Sequence, residues 1–325
     1  MPHGLAEHSP DTASPRQPSA ERGRYLRSVA FLPPVLAPDV SLRALPAIAR
    51  PGRVLLTSPD HFDVAYVINP HMEGNIGDVD TARAREQWNA LRDAYTRCGI
   101  EVSVVDGVQG LPDMVFCANQ TLPYLTPGGE RGAILSRMHA PQRKPEVEHY
   151  ARFFEQEGYE VTGLDPDLPG DFEGMGDALW HPGRYLLWGG YGYRTDRQVY
   201  DRLNGAMGFP VIPLRLEDPD FYHLDTCLCP LDEDTALIYP GAFDEDGLAE
   251  IGAHFARVIE APEREARELF ACNAHCPDGR HVLIQKGCSE TNAALADLGY
   301  EVVELDTSEY LKSGGSVFCM KLMFW

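Results

Sequence analysis

Six polar residues have the chemistry to act together: Cys319, His223, Asp225, Glu173, Asp177 and Asn119. A thiol with an imidazole suits covalent catalysis, in which the thiolate attacks and the histidine moves protons. The carboxylates are out of place in an acyl-transfer site, where a developing oxyanion needs donors. They suit a planar cation rich in N–H groups, and a guanidinium pairs bidentately with carboxylate. The residue types therefore favour attack of a cysteine on a guanidine carbon. Each residue also has a plainer reading. Cys319 in Val317-Phe-Cys-Met is equally a core residue of a strand, although Lys312-Ser-Gly-Gly315 before it reads as a flexible turn that would expose the thiol. His223 and Asp225, on one face of a strand, could form a structural hydrogen bond. Phe172-Glu-Gly-Met-Gly-Asp177 reads also as a glycine turn with solvated acids, and Asn119 as a side chain satisfying local backbone.

What joins these residues is their placement. Val54-Leu-Leu-Thr57 reads as a short strand. Apolar residues at helical spacing predict helices over Ala82–Cys98, Glu146–Glu157 and Glu290–Leu298, each followed by a glycine stop. After the stops come Gly99-Ile-Glu-Val, Gly158-Tyr-Glu-Val and Gly299-Tyr-Glu-Val; Gly208-Phe-Pro-Val is a fourth version and His254-Phe-Ala-Arg-Val-Ile-Glu a degenerate fifth. The spacing of about fifty residues marks an internal repeat in five copies. A polar cluster follows each marker, its last polar residue 17 to 20 residues on: Asp113 to Asn119, Glu173 to Asp177, His223 to Asp225, Asn273, and Cys319. Each cluster is expected in a second strand. Five equivalent clusters predict an α/β fold, a closed five-bladed propeller of ββαβ-type units with the clusters converging on its axis; closure would leave no long sheet edge exposed.

Composition limits the partners. With 325 residues, 44% of them apolar, the chain can bury a full core without disulfides or metals. Lys and Arg number 28 against 49 Asp and Glu, for a net charge of −21. Such a chain is unsuited to binding nucleic acid, which needs basic residues to displace counterions, and an anionic membrane surface repels it. No run approaches the roughly 18 apolar residues of a spanning helix. The eight cysteines lack a disulfide framework or zinc-knuckle spacing, which points to a reduced, cytoplasmic chain with mostly buried thiols and no metal. Residues 1–52 are Pro-, Ser- and Ala-rich and read as a partly disordered extension before a single domain at 53–325. The run from Val29 to Ala37, broken by Pro33 and Pro34, is a poor signal-peptide core.

Several strings are distinctive: SPDHFDVAYVINPHMEGNI (58–76), LPDMVFCAN (111–119), DFEGMGDAL (171–179), WGGYGYR (188–194), FYHLDTCLCPL (221–231), LFACNA (269–274) and LKSGGSVFCMKL (311–322). On these the chain resembles the pentein superfamily of guanidine-modifying enzymes, which includes arginine deiminases, dimethylarginine dimethylaminohydrolases and amidinotransferases. It is most similar to the arginine dihydrolase domain of cyanobacterial bifunctional arginine/ornithine enzymes. The resemblance implies Cys319 as nucleophile and His223 as general acid/base, with Glu173 and Asp225 orienting the guanidinium and the histidine. It implies Arg143 and Arg194 as holders of the substrate α-carboxylate and Asp113 at its α-amino group. Asn69 lies in the Asn-Pro signature, and Asp177 has a supporting place. Deiminases and dimethylargininases carry an aspartate where this chain has Asn119, whereas the dihydrolase-like relatives carry the same asparagine. A neutral amide can also hold the ureido group of citrulline.

The reaction so implied converts L-arginine to L-ornithine, two ammonia and carbon dioxide without a cofactor. The alternatives are a dimethylargininase or deiminase stopping at citrulline, an amidinotransferase, and a catalytically silent amino-acid-binding protein. The expected partner is a small guanidino compound, and a homo-oligomer is compatible with the sequence. Because the chain ends at Trp325, six residues past Cys319, it is expected to lack the C-terminal second domain of the bifunctional enzymes.

Overall fold

A computed structural model describes residues 25–26, 42–167, 169–208 and 210–325. The Val29–Ala37 run, most of the N-terminal extension and Phe209 of the fourth repeat marker lie outside the described residues.

The fold is α/β, and among the described residues it is carried by five small sheets, each built on a parallel pair of strands joined by a helix. Arg53–Thr57 and Glu101–Val105 are joined by Thr81–Arg97, and Arg131–Leu135 and Glu160–Leu164 by Val147–Gln156. Leu187–Tyr191 and Val211–Arg215 are joined by Arg197–Met207, and Thr235–Ile238 and Arg257–Glu260 by Glu245–His254. His281–Gln285 and Glu301–Leu305 are joined by Ser289–Asp297. Four sheets add an antiparallel strand on the other side of the first partner: Leu322–Phe324, Thr121–Leu125, Ala178–Trp180 and Leu228–Pro230. The fifth has only a bridge there, between His275 and Leu283. Leu322–Phe324, at the end of the chain, thus completes the sheet that Arg53–Thr57 begins.

Local chemistry explains the helix boundaries. Asp80 caps Thr81–Arg97 by accepting the Arg83 N–H at 3.0 Å, and Ala84, Trp88, Leu91 and Tyr95 form its buried face. Gly99, Gly158, Gly208 and Gly299 follow four of the helices at φ of 76°, 78°, 71° and 91°. This left-handed turn is one a side chain resists. In the degenerate copy Phe255 instead leaves the helix in an extended conformation, at φ −103°. The helices pack inward on the sheets, where fully buried Trp188 stacks on Phe255 with ring centroids 5.1 Å apart.

The polar clusters are not in second strands as expected. Each occupies a turn just before the antiparallel strand, or in the fifth sheet before the His275 bridge: Pro112–Val115 and the chain to Asn119, Gly174–Asp177, Leu224–Thr226, the turn at Asn273, and the turn ending at Cys319. A strand would point alternate side chains to opposite faces. A tight turn lets neighbouring polar groups gather while their backbone is satisfied locally.

Residues 42–51 pack against the body: Ala47 bridges Arg184, and the Ile48 N–H donates to the Gly183 carbonyl at 3.1 Å. Among the described residues no helix is long and apolar enough to cross a membrane.

Candidate active site

Three of the five clusters, those of Asp113 to Asn119, of His223 and of Cys319, contribute to a cleft of about 290 Å³ lined by Asp113, Asn119, Arg143, Arg194, His223 and Cys319, with Asn69, Tyr222 and Ser313 from adjoining loops. Of the predicted residues, Glu173, Asp177 and Asp225 are not in this lining but are bonded to His223, to the Leu224 N–H and to the Cys319 sulfur.

Cys319 is 3% exposed, so the thiol is not on the open, flexible turn expected from Lys312–Gly315. That turn is packed: a Cβ on Gly315 would lie 2.4 Å from the Phe116 ring. The sulfur donates to Asp225 Oδ2 at 3.3 Å and accepts from Asn273 Nδ2 at 3.1 Å. Burial first, and the neighbouring Asp225 second, push the thiol well above its ordinary value. Burial also raises Asp225, to about 7, although the Cys319 hydrogen bond opposes it. Protein alone therefore holds the thiol neutral. A cation entering beside Asp225 would reverse the balance by favouring both anions.

His223 precedes the turn Leu224–Thr226 and does not share a strand face with Asp225. Its Nε2 lies 2.6 Å from Glu173 Oε2, so Glu173 is the carboxylate that orients the imidazole and Asp225 is the one beside the sulfur. Burial would raise Glu173, but the His223 hydrogen bond and charge, then Arg194 and Arg143, outweigh it and hold the carboxyl at about 2. The other Glu173 oxygen accepts the His139 N–H at 2.9 Å. Asp177 accepts the Leu224 N–H at 3.0 Å, fixing the turn that carries His223.

The two arginines differ. Arg194 lies 3.4 Å from Glu173 Oε2, donates to the Ile68 carbonyl and sits 4.9 Å from the Tyr222 ring centroid. Arg143 lines the cleft but is largely engaged by protein: it pairs with buried Glu146 at 3.0 Å and donates to the Asp113 and Phe116 carbonyls, each at 3.1 Å. Its Nη1 donates to Asn119 Oδ1 at 2.9 Å. Arg143 is thus placed to position Asn119 at the wall of the cleft. Asn69 donates to the Ser313 carbonyl at 3.0 Å, and Ser313 Oγ donates to Asp113 Oδ1 at 3.2 Å. Burial raises Asp113 above its usual range, against the pull of Arg143.

Besides Asp177 Oδ2, three buried atoms of this group have no hydrogen-bond partner in the protein: Asp113 Oδ2, which the Tyr66 hydroxyl approaches, Asn119 Nδ2 and Asp225 Oδ1. Leaving a buried polar atom unpaired costs about 1–3 kcal/mol, which a bound ligand can recover. A ligand completing this set has one ammonium and one planar group that both donates and accepts. No group of three or more His, Cys, Asp or Glu able to hold a metal occurs among the described residues. The eight cysteines are all free, and seven are buried.

Sequence reasoning placed Asn273 among the clusters but gave it no role. Its Oδ1 accepts the N–H groups of Ser316 and Cys319 at 3.0 and 3.3 Å, and its Nδ2 also donates to the Asp225 carbonyl at 2.8 Å. Its equivalence to the other four clusters was the available signal. Lys321, buried two residues past the cysteine, was missed; a lysine in the apolar run Phe318-Cys-Met-Lys-Leu322 could have drawn attention.

A family model described as "N,N dimethylarginine dimethylhydrolase, eukaryotic" matches residues 68–323. The bifunctional arginine dihydrolase/ornithine cyclodeaminase ArgZ of Synechocystis sp. is 41% identical over 83% of this chain and 37% of its own length. The chain therefore spans little more than a third of that relative. The N(G),N(G)-dimethylarginine dimethylaminohydrolase of Mycobacterium tuberculosis is 37% identical over 84% of this chain and 86% of its own. Among solved structures, the N-terminal domain of ArgZ covalently bound to a reaction intermediate matches with a TM-score of 0.77 and 38% identity, covering 83% of this chain and 97% of that one. A cysteine-to-serine variant of the same domain, bound to substrate, matches equally well. These relatives are hydrolases of guanidino groups, and the covalent intermediate in ArgZ implies a cysteine nucleophile. On the matched residues and the shared arrangement, this chain belongs to the dimethylarginine dimethylaminohydrolase family of the pentein superfamily.

Proposed function

We propose that the chain is an arginine dihydrolase-like hydrolase that converts L-arginine to L-ornithine, two ammonia and carbon dioxide, and that its five sheets close into a five-bladed ring around the cleft. Ring closure is supported by the pairing of Leu322–Phe324 with Arg53–Thr57. The observation that carries the reaction is the orientation of Asn119. With its Oδ1 held by Arg143, its unpaired Nδ2 is left to donate, as binding a ureido oxygen requires.

The guanidinium enters beside Asp225 and Glu173. Its charge favours the Asp225 carboxylate and the Cys319 thiolate, and the thiolate attacks the guanidine carbon. His223 gives a proton to the departing ammonia. Water, deprotonated by the same imidazole, opens the thiouronium to citrulline and free thiolate. While citrulline stays bound, Nδ2 of Asn119 holds its ureido oxygen. A second attack expels the second ammonia and leaves an S-carbamoyl adduct bearing the ornithine nitrogen. Water cleaves that adduct, and the resulting carbamate loses carbon dioxide to give ornithine. In sum, arginine and two waters give ornithine, two ammonia and one carbon dioxide. Arg194 and Asp113 bind the α-carboxylate and α-ammonium ends.

A second reading stops at citrulline, from arginine or a methylated arginine. The family match and the identity to the mycobacterial dimethylargininase favour it. Incubation with L-arginine and quantitation of citrulline, ornithine and ammonia separates the two. Ornithine with two ammonia is expected. Citrulline with one ammonia, or turnover of methylated arginine alone, would replace the first reading with the second.

A further inference from the structure

A second cavity, of about 630 Å³, is walled by Trp180, Trp325, Met175 and Phe318 and reaches Lys321. Lys321 is fully buried, and its Nζ has no hydrogen-bond partner. The nitrogen lies 3.1 Å from the centroid of the Phe318 ring, the residue next to the nucleophile. Ring contact alone is poor compensation for an ammonium taken out of water. Burial accordingly pushes Lys321 down to about 7, while the largest opposing influence is Asp225, followed by Cys229, Cys117 and Cys319. His275 also faces it and feels its charge. Asp225 has an orphan of its own, Oδ1, and its other neighbours are Cys319, Asn273 and, at longer range, Arg143. Lys321 and Asp225 form no ion pair within 4 Å, but both are buried with a polar atom unsatisfied, Asp225 bonded to the Cys319 sulfur and Lys321 two residues along the chain from it.

We propose that Lys321 is a positioning residue for the thiolate chemistry: its ammonium is the counter-charge to Asp225 behind Cys319, and it acts on the reaction through Asp225 without touching substrate. The inference rests on the reading of Cys319 as nucleophile. Removing this cation makes Asp225 harder to ionise. The carboxylate then pairs less well with a guanidinium and stabilises less of the charge pattern in which the thiolate forms. A lysine that only filled space against Phe318 would affect stability and leave the pH response alone.

The test compares wild type with Lys321→Met, which keeps the length and loses the charge, and with Lys321→Arg, which keeps the charge. One readout is the pH dependence of Cys319 alkylation by chloroacetamide, followed by mass spectrometry, which needs no turnover. The other is kcat and KM for L-arginine between pH 6 and pH 9. In Lys321→Met the acidic limb of kcat/KM is expected to rise by about 1 pH unit, with KM up roughly tenfold at pH 7 and recovering by pH 9. Lys321→Arg should keep the acidic limb of the wild type. Should Lys321→Met fail to fold, Lys321→Gln carries the same expectation. A melting temperature that falls while both pH profiles stay unchanged would overturn the proposal. So would a Lys321→Arg profile shifted like that of the neutral variants. A wild-type enzyme whose Cys319 is neither alkylated nor needed for turnover would instead defeat the underlying reading of the nucleophile.

Discussion

Arg143 Nη1 donates to Asn119 Oδ1 across 2.9 Å, and that bond decides which end of the amide is left for a ligand. Arg143 is itself fixed by Glu146 and by two backbone carbonyls. The amide therefore offers its donor end. The unsatisfied Nδ2 is matched to a neutral, oxygen-bearing ureido group better than to a second cation.

Exchanging that amide for a carboxylate separates the two halves of the proposed reaction. Asn119→Asp retains an acceptor for Arg143, so the fold should survive. It loses the donor, and a ureido oxygen would meet a negative charge. Citrulline should become the main product, with ornithine formation slowed by about 10²–10³, the usual loss on removing one such donor. Amino-acid quantitation after L-arginine incubation reads the ratio; a variant that still makes only ornithine would show that Nδ2 has no part in the second step.

Gly176 is the floor on which this amide rests. A Cβ there would lie 2.2 Å from Asn119 Nδ2 and 3.4 Å from the His223 ring. Gly176→Ala must push the amide aside, and forcing atoms into a packed site costs about 1–3 kcal/mol. The expected result is a folded protein with kcat lowered about 10²-fold, because displacement by an ångström is enough for a loss of that size. Circular dichroism and steady-state kinetics on the same preparation check both halves. Wild-type kcat would mean the amide can shift freely.

Much of this architecture was legible in the sequence because repetition leaves a strong trace. The glycine stops at 99, 158, 208 and 299 identified helix ends, and the polar clusters fell at matching places after them. The local form of the clusters was not legible. Phe221-Tyr-His-Leu-Asp225 has the alternation of a strand, yet the Thr226 N–H and hydroxyl both bond back to the His223 carbonyl, at 3.2 and 2.6 Å, and close a turn. The engagement of Arg143 was not legible for a related reason: its partner Glu146 is three residues away, and only burial reveals that the pair is shut off from water. Pairing between Glu173 and His223, fifty residues apart, depends on tertiary placement that no local pattern encodes.

Asp225 makes a stability prediction whose sign is fixed. Its folded value, about 7, is raised above the ordinary 3.8 by burial, so the folded state holds its proton more tightly. For such a group the contribution is fully present below the unfolded value. It is lost as pH rises through the folded one. Asp225→Asn cannot ionise and escapes that loss. The melting temperature of the variant relative to wild type should therefore climb between pH 4 and pH 8. A constant difference over that range would mean that Asp225 titrates alike in both states. Activity should be largely lost at every pH, since the carboxylate beside the sulfur is gone.

Asn273 tests whether the nucleophile is held or also tuned. Its Oδ1 gathers the N–H groups of Ser316, Phe318 and Cys319, and its Nδ2 donates to the sulfur itself. Asn273→Ala removes both functions and leaves buried N–H groups unpaired, at about 1–3 kcal/mol each, so lost activity there would not distinguish them. Asn273→Asp does distinguish them. The carboxylate still accepts the backbone N–H groups and holds the turn, but it faces the sulfur with negative charge where a donor stood. Stability should fall by about 1–3 kcal/mol, because the bond from Nδ2 to the Asp225 carbonyl is lost as well, while the thiol becomes harder to ionise and alkylation of Cys319 at pH 8 slows by roughly tenfold. Equal alkylation in Asn273→Asp and wild type would mean that the Nδ2 contact carries no weight at the sulfur and that Asn273 only braces the turn.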